Sequence, residues 1–207
     1  MGPLARLGVV MKAPVTKVLA GGPSTSDTIL ISRTSKSKHM TTIPTITTNR
    51  LVLRAFVQRD LDEYAAIIGD PEVTKHLGDG KALSRSEAWR QMAMILGHWT
   101  LLGYGLWAVE ERATGALLGR IGCQQPEGFP GFEIAYTLGR PHWGRGFARE
   151  GAGAALAYAR DVLGRTSIIS VIRPANAGSI RVAQALGAKL DGEVEFYGGP
   201  ASIYRYG

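Results

Sequence analysis

The sequence is poor in the residues that bind metal ions or form disulfide bonds. Cys123 is its single cysteine, so no internal disulfide is possible, and its position within a predicted strand indicates a small, buried apolar residue. The four histidines are scattered and lack the spacing of metal ligands. We therefore expect no metal requirement and a reducing, cytoplasmic location.

Long apolar runs are also missing, and charge of one sign is concentrated at one end. No run reaches the roughly 18 apolar residues of a membrane span, so we expect no membrane association. The net charge is +7, but residues 1–39 hold six basic residues and one acidic residue, or +5, which leaves +2 for the rest. We expect no nucleic-acid partner for this balanced remainder. The alternative is nucleic-acid binding through residues 1–39, which truncation of that segment would abolish.

Residues 1–39 differ in composition from the rest of the chain. They are rich in Gly, Pro, Ser, Thr and Lys and show no sustained hydrophobic periodicity, which predicts a disordered extension. Two alternatives remain open: an upstream start codon, with Met40 as the natural first residue, and a basic, hydroxyl-rich targeting peptide. Residues 40–207 have the periodicity and apolar content of one folded domain.

Hydrophobic periodicity predicts that this domain is a mixed α/β structure. Alternating or continuous apolar segments predict strands at residues 50–56, 105–111, 116–125, 132–138 and 167–172, and a final hairpin of 192–197 and 202–206. Two helices are predicted between the first two strands, and two more at residues 148–163 and 176–186. Gly187 suits the left-handed position that ends the last helix.

Two sequence patterns indicate the starts of the first two helices. Asp60 with Glu63, and Ser84 with Glu87, have the three-residue spacing of a capping box. The second of these helices has an apolar stripe at helical spacing, which predicts its buried face. The stripe consists of Trp89, Met92, Leu96 and Trp99.

A glycine-rich turn lies between the strand at 132–138 and the helix at 148–163. Gly144 and Gly146 let the backbone come close to a ligand, and the free N–H groups at a helix start bind phosphate oxygens. Neither the Gly-Lys-Ser/Thr of a nucleotide P-loop nor the spacing of a dinucleotide fingerprint is present. Three arginines add positive charge nearby, namely Arg140, Arg145 and Arg149.

Three segments together resemble the GNAT family of N-acetyltransferases. The family's acyl-CoA-binding motif reads Gln/Arg-x-x-Gly-x-Gly/Ala, and WGRGFA (143–148) matches it, with Gly146 and Ala148 as the glycine and the small residue. Trp143 stands where the motif has Gln or Arg, a departure typical of the ribosomal-protein-alanine N-acetyltransferase branch. The segments TNRLVLRAF (48–56) and NAGSIRVAQALGAKLDGE (176–193) also resemble that branch.

The resemblance implies a GNAT fold, in which a mixed, mostly antiparallel central sheet with splayed middle strands is flanked by about four helices. It implies acetyl-CoA as the co-substrate, with the pantetheine arm between the strands at 132–138 and 167–172. The backbone amides of residues 143–149 would hold the pyrophosphate. The cofactor-binding residues implied in this way are Ile134, Ala135, Tyr136, Thr137, Leu138, Trp143, Gly144, Arg145, Gly146, Phe147, Ala148, Arg149, Asn176 and Ser179.

The resemblance also implies a mechanism and candidate catalytic residues. A backbone N–H near Ala135 or Tyr136 would stabilise the oxyanion that forms when the amine attacks the thioester directly, in a ternary complex. Ser179 is the candidate acid for the departing thiolate; alternatively, its hydroxyl satisfies a local backbone group. Glu133 is the candidate base, directly or through water; alternatively, it is a solvated strand residue. Tyr136 is either a further acid or a packing ring.

We therefore expect an N-acetyltransferase that acetylates a primary amine and acts as a monomer or homodimer. The acceptor implied by the branch resemblance is a protein N-terminus, which needs an open groove. One alternative is a small amine such as a polyamine, aminoglycoside or amino acid, which needs a closed pocket. The other is a non-catalytic acyl-CoA-binding domain. The helical region at 60–99 and the final hairpin should decide between groove and pocket.

Overall fold

The computed structural model describes residues 42–207, so the interpretations of residues 1–39 concern a segment outside the described part. The strands of the described part are β1 (Ile46–Thr47), β2 (Leu51–Arg54), β3 (Leu106–Glu111), β4 (Leu117–Gln124), β5 (Glu133–Leu138), β6 (Ile168–Ile172), β7 (Ala188–Phe196) and β8 (Gly199–Tyr206). Its α-helices are α1 (Leu61–Ile68), α2 (Pro71–Thr74), α3 (Arg85–Leu102), α4 (Phe147–Asp161) and α5 (Ala177–Ala185). Short 3-10 turns cover Gln58–Asp60 and Arg140–His142.

All of these strands belong to one sheet, in the order β1-β2-β3-β4-β5-β6-β8-β7. Every neighbouring pair is antiparallel except β5 and β6, which are parallel and are connected through α4. A parallel pair needs such a crossover, because its strands start at the same edge of the sheet. The predicted mixed, mostly antiparallel sheet is confirmed, and the structure adds the two-residue β1 and the four-residue α2.

Helices cover both faces of the sheet, so successive side chains of β4 have different neighbours. Cys123 faces α4, with its Sγ 3.8 Å from the Ala155 carbonyl oxygen, and is fully buried as predicted. Arg120 and Gln124 lie on the opposite face, because side chains alternate along a strand. There they line a cavity together with residues of α1 and α3, which pack against each other.

The sheet divides between β5 and β6. Within the described part, these strands pair only at Glu133 and Ile169, close to where each strand begins. Beyond that pair, β5 continues to Leu138 and β6 to Ile172 without a further ladder contact between them. The predicted splaying of the middle strands is therefore confirmed, and it leaves a gap that has strand backbone on both sides.

The two predicted helix starts have different outcomes. The Ser84 capping box is confirmed: its hydroxyl accepts a hydrogen bond from the Glu87 N–H, and the Glu87 carboxylate accepts one from the Ser84 N–H. The Asp60 capping box is wrong. The Asp60 carboxylate lies 2.8 Å from the Arg54 guanidinium, and the Glu63 carboxylate accepts a hydrogen bond from the start of β4. Asp60 also accepts a hydrogen bond from the Val57 N–H at 2.8 Å, so it closes the preceding 3-10 turn and does not cap α1.

The predicted apolar face of α3 is wrong at Trp89, which is 50% exposed, whereas Leu96 is partly buried and packs against the core. The residues of α3 that are buried are Ala88, Met92, Ile95 and Trp99. The helix contains two overlapping apolar stripes, and packing against α1 selects the one that periodicity alone did not favour. Among residues 42–207, no helix is both long and apolar enough to cross a membrane.

The final hairpin is longer than predicted. β7 and β8 are joined by Tyr197 and Gly198, whose φ angles of 48° and 67° both lie in the left-handed region. Two-residue turns of this kind match the twist of hairpin strands. The predicted bounds placed the turn too late, because the Gly-Gly-Pro sequence at 198–200 is typical of a loop. In the structure, Pro200 pairs with Glu195 inside the hairpin. Gly187, with φ 88°, follows α5 as predicted.

Candidate active site

The gap between β5 and β6 exposes backbone groups of β5. The Ile134 carbonyl oxygen accepts a hydrogen bond from the Ser170 hydroxyl of β6 at 2.6 Å. The Leu138 carbonyl oxygen accepts one from Trp143 Nε1 at 2.7 Å. Both carbonyls therefore point away from β4. Backbone direction alternates along a strand, so the N–H of Tyr136 points into the gap and that of Ala135 points towards β4. Of the two predicted oxyanion donors, the geometry favours Tyr136.

Beside the gap lies a cavity of about 570 Å³, which we call the α4 cavity. The end of β5, the glycine-rich turn and the first turns of α4 and α5 form its walls, so two helix N-termini lie at one site. Most residues predicted to bind the cofactor line it, namely Tyr136, Thr137, Leu138, Trp143, Gly144, Gly146, Phe147, Ala148, Arg149, Asn176 and Ser179. Ile134 and Ala135 line a neighbouring cavity.

The glycine-rich turn has a backbone conformation that favours glycine. Gly144 and Gly146 have φ angles of +71° and +79°, in the left-handed region, and Gly146 immediately precedes α4. An added Cβ would meet open space at Gly144 and would lie 3.4 Å from Arg50 Nη2 at Gly146. Backbone conformation rather than crowding therefore requires glycine here. The first N–H groups of α4 are left for a ligand.

The positive charge of the α4 cavity matches the prediction only in part. Arg149 lines the cavity. Arg140 and Arg145 instead form ion pairs with acidic residues outside it, at 3.1 and 3.0 Å. The side chains of Arg140 and Arg145 are therefore engaged outside the cavity. Arg181 and Lys75 also line the cavity, and the sequence patterns did not identify them.

Arg50, just before β2, holds the turn in place. Its Nη1 donates to the Arg145 carbonyl oxygen at 2.9 Å, and its guanidinium carbon lies 4.5 Å from the centre of the Phe147 ring. Its Nε donates at 2.7 Å to Glu150 on α4, which also accepts a hydrogen bond from the Thr48 hydroxyl at 2.6 Å. The segment TNRLVLRAF therefore supports the glycine-rich turn directly.

The start of α5 is fixed beside the gap by two hydrogen bonds. Asn176 Oδ1 accepts one from the Ser179 N–H at 3.1 Å, and the Tyr136 hydroxyl donates one to the Ser179 carbonyl oxygen at 2.8 Å. Because Asn176 already caps the helix, the Ser179 hydroxyl is not needed for that role. Its Oγ makes no hydrogen bond with another residue of the described part, and the residue lines both cavities.

The Tyr136 hydroxyl is suited to positioning. Burial, with smaller contributions from Tyr206 and Glu133, raises the pKa of this hydroxyl well above its usual value. The group therefore remains protonated and donates its hydrogen bond to the Ser179 carbonyl oxygen. Tyr136 thus contributes a backbone N–H to the gap and a side chain that positions α5.

Glu133 is buried where β5 and β6 begin to diverge, so its interpretation as a solvated residue is wrong. Its Oε2 accepts a hydrogen bond from Gln124 Nε2 at 2.8 Å, and its Oε1 accepts one from the Val171 N–H at 3.1 Å. Burial raises the pKa of this carboxyl from 4.5 to about 7, although these hydrogen bonds and the charge of Arg120 oppose the rise. A carboxyl that titrates near neutrality is suited to general-base catalysis.

A second cavity, of about 340 Å³, lies beside Glu133, and we call it the hairpin cavity. It is lined from α3, β4, β5 and the β7–β8 hairpin by residues that include Gln91, Met94, Arg120, Gln124, Phe129, Glu133, Arg173, Phe196 and Tyr197. The residues that line both cavities are His76, Leu77, Tyr136, Thr137, Asn176 and Ser179. The two cavities therefore meet at these residues, which include Tyr136 and Ser179.

Arg173 closes one side of the hairpin cavity. Its guanidinium donates hydrogen bonds to the carbonyl oxygens of Gly78 at 3.1 Å, Tyr197 at 3.2 Å and Pro200 at 3.1 Å. Gly78 belongs to the connection between α2 and α3, and the other two belong to the hairpin. One side chain therefore links the two segments that the sequence indicated as decisive for the acceptor.

Similarity to solved structures supports the predicted fold but does not single out the ribosomal-protein branch of the family. A structure described as a ribosomal-protein-serine acetyltransferase of Vibrio cholerae has a TM-score of 0.64 and 22% identity, over 78% of this chain and 95% of that chain. Identity this low shows a common fold alone. The ribosomal-protein branch that Trp143 indicated is therefore not specifically supported.

Closer similarities establish the family. The structure of an acetyltransferase from Agrobacterium tumefaciens has a TM-score of 0.72 and 30% identity, over 80% of this chain and 95% of that one. An uncharacterized N-acetyltransferase, p20 of Bacillus licheniformis, is 30% identical over 155 residues, which cover 74% of this chain and 86% of p20. The family model of the acetyltransferase (GNAT) domain matches residues 50–189. The chain therefore belongs to the GNAT family and is an N-acetyltransferase.

Proposed function

We propose that the enzyme transfers an acetyl group from acetyl-CoA to a primary amine by direct attack in a ternary complex. The observation that carries this proposal is the junction of the two cavities at Tyr136 and Ser179. A donor in the α4 cavity and an acceptor in the hairpin cavity can be bound together, with their reacting groups at that junction. The glycine-rich turn and the two helix N-termini favour the phosphates of acetyl-CoA.

The residues at the junction supply the charge stabilisation and the proton transfers. Glu133 accepts a proton from the incoming ammonium, directly or through water. The amine nitrogen then bonds to the thioester carbonyl carbon, and the Tyr136 N–H donates a hydrogen bond to the resulting oxyanion. When the carbon–sulfur bond breaks, the thiolate takes a proton from the Ser179 hydroxyl, the proton that the acetylated nitrogen loses restores that hydroxyl, and Glu133 releases its proton to solvent. The products are the N-acetylated amine and free CoA.

The shape of the hairpin cavity bears on the class of acceptor. A protein N-terminus, implied by the branch resemblance, needs an open groove between the α2–α3 connection and the hairpin. Arg173 instead links these segments through the carbonyl oxygens of Gly78 and Tyr197. The cavity volume of about 340 Å³ is typical of small-molecule sites. These observations favour a small amine over a protein N-terminus.

Initial-velocity kinetics test the proposal. Release of the CoA thiol is measured while acetyl-CoA and a small primary amine are varied together, and calorimetry compares acetyl-CoA with adenosine diphosphate. We expect intersecting double-reciprocal lines and saturable binding of acetyl-CoA that is tighter than that of the diphosphate. Parallel lines would indicate a covalent acetyl-enzyme and refute direct attack. Failure of the folded protein to bind acetyl-CoA would refute the donor site, and higher kcat/KM for peptides than for all small amines would restore the protein acceptor.

A further inference from the structure

Arg120 on β4 is a half-buried cation that lines the hairpin cavity. Within residues 42–207, its guanidinium makes no ion pair and no hydrogen bond. Other arginines near the sheet are engaged: Arg54 pairs with Asp60 and Glu110 at 2.8 Å each, and Arg173 donates to backbone carbonyls. A guanidinium has five N–H donors and forms its strongest hydrogen bonds with anions. Arg120 is therefore available to an anionic group in the cavity.

Arg120 lies on the same face of the sheet as the proposed base. In the β4–β5 ladder Arg120 is opposite Thr137, and Gln124 is opposite Glu133. Glu133 and Thr137 are separated by roughly 13 Å of strand, at about 3.3 Å per residue. Arg120 and Glu133 make no ion pair with each other. Both side chains line the hairpin cavity, so a molecule that has an amine at one end and an anion a few bonds away can contact Glu133 and Arg120 together.

The remaining lining indicates the rest of the acceptor. Phe129, Phe196 and Tyr197 form an aromatic cluster, with ring centres 4.9 Å apart for the first two and 4.5 Å apart for the last two. Such rings favour an apolar or aromatic group. Lys81 and Asp79 also line the cavity, but they lie 2.9 Å apart and largely neutralise each other. Of the two lining arginines without an ion pair in the described part of the chain, Arg173 has its donors occupied by backbone carbonyls, whereas Arg120 has its donors free for an acceptor.

We propose that the acceptor is a small α-amino acid with an apolar or aromatic side chain, whose carboxylate binds Arg120. Its amine then lies towards Glu133 and the gap, and its side chain contacts the aromatic cluster. This inference rests on the proposed function and narrows it. Polyamines and aminoglycosides are disfavoured, because they would place additional cations beside Arg120.

Matched acceptors test the contribution of the carboxylate. Phenylalanine, methionine and leucine are each compared, as acceptors, with their amides and their decarboxylated amines. Each comparison is made for the wild-type enzyme, Arg120→Gln and Arg120→Lys. The control Arg90→Gln removes an exposed positive charge from α3 outside the cavity. Thiol release gives kcat/KM, and calorimetric titration of each acceptor into the CoA-bound protein gives affinity without turnover. Thermal unfolding checks that each variant is folded.

For wild type and Arg90→Gln, we expect kcat/KM and affinity for at least one amino acid to exceed those for its amide and amine by roughly 10-fold or more. Arg120→Gln should remove this preference and leave kcat/KM for the decarboxylated amine within about twofold. Arg120→Lys should keep part of the preference for the carboxylate, because lysine retains the positive charge but lacks the planar set of N–H donors of a guanidinium. Equal or better use of amides and amines by wild type would overturn the inference, as would a preference that survives in folded Arg120→Gln. A protein that binds no acetyl-CoA would refute the proposed function instead, and titration of the same acceptors into the ligand-free protein would still test Arg120.

Discussion

Replacement of Glu133 by glutamine tests the proposed general base, because the variant keeps the side-chain shape and loses the ionisable proton. Glu133 is buried, and its carboxyl has a pKa of about 7. We expect kcat/KM of the wild type to rise with pH up to about 7 and to level off above it, as the carboxylate form becomes populated. In Glu133→Gln this dependence should disappear, and the plateau should fall by about 10²- to 10⁴-fold.

The same substitution should lower activity but raise the free energy of unfolding near pH 8. Burial raises the pKa of Glu133 from 4.5 to about 7, so the folded state binds more protons than the unfolded state between these values. Wild-type stability therefore falls as pH rises through this interval, by about 3 kcal/mol at 1.36 kcal/mol per pKa unit. Glutamine avoids that loss. Its amide oxygen can accept from only one of the two donors, Gln124 or Val171, which costs about 1 kcal/mol. Glu133→Gln should therefore be more stable by about 2 kcal/mol near pH 8.

Urea unfolding followed by tryptophan fluorescence, between about pH 5 and 8, measures the stability difference, and thiol release over the same range measures activity. Glu193→Gln, an exposed substitution on β7, is the control and should change neither. A Glu133→Gln enzyme that kept the wild-type pH dependence would refute the role of Glu133 as the base. Loss of activity together with loss of stability would indicate a structural role for the carboxyl instead.

Three further substitutions test the α4 cavity and its surroundings. Gly146→Asp should weaken acetyl-CoA binding by about 100-fold or more, because it strains a left-handed position and brings a carboxylate to the phosphate site; unchanged affinity in calorimetry would contradict this placement. Ser179→Ala should lower kcat by about 10-fold or more while the Kd of acetyl-CoA stays within about twofold, and an unaltered kcat would exclude Ser179 from proton transfer. Arg50→Ala should raise that Kd by about 5- to 10-fold without shifting the pH profile, since it loosens the turn and leaves Glu133 untouched; an unchanged Kd would show that the turn holds its shape without Arg50.

The glycine-rich turn could be predicted from the sequence because its geometry depends on a short contiguous segment. Gly144 and Gly146 need only their own backbone conformation, and the N-terminus of α4 follows at once. The start of α5 is similar: Asn176 caps the helix and Ser179 lies three residues further on. In both places neighbouring residues determine one another, so a sequence pattern carries most of the structural information.

The errors and omissions involve contacts between segments that are distant in sequence. Asp60 has the spacing of a cap, but it pairs with Arg54 of β2. An unpaired carboxylate is costly to bury, and this cost outweighs the loss of a local cap on α1. The burial of Glu133 depends on β4 and β6, which no alternation within β5 reveals. Arg120 and Arg173 acquire their significance only when β4 and the final hairpin meet around one cavity. For this reason, pattern reasoning identified more of the residues that line the α4 cavity than of those that line the hairpin cavity.

The topology of the sheet explains why the elements of the candidate site meet at the gap. Among the strand pairs described, β5 and β6 are the one parallel pair, so their carboxyl ends lie at the same edge of the sheet. α4 follows β5 and α5 follows β6, and the N-termini of both helices therefore line the same cavity. In the proposed mechanism, their partial positive charges would favour the phosphates of acetyl-CoA and the thiolate that leaves when the carbon–sulfur bond breaks. In the proposed mechanism the N-terminus of α5 and the Ser179 hydroxyl would stabilise the leaving thiolate together, so removal of the hydroxyl alone should slow the reaction without abolishing it.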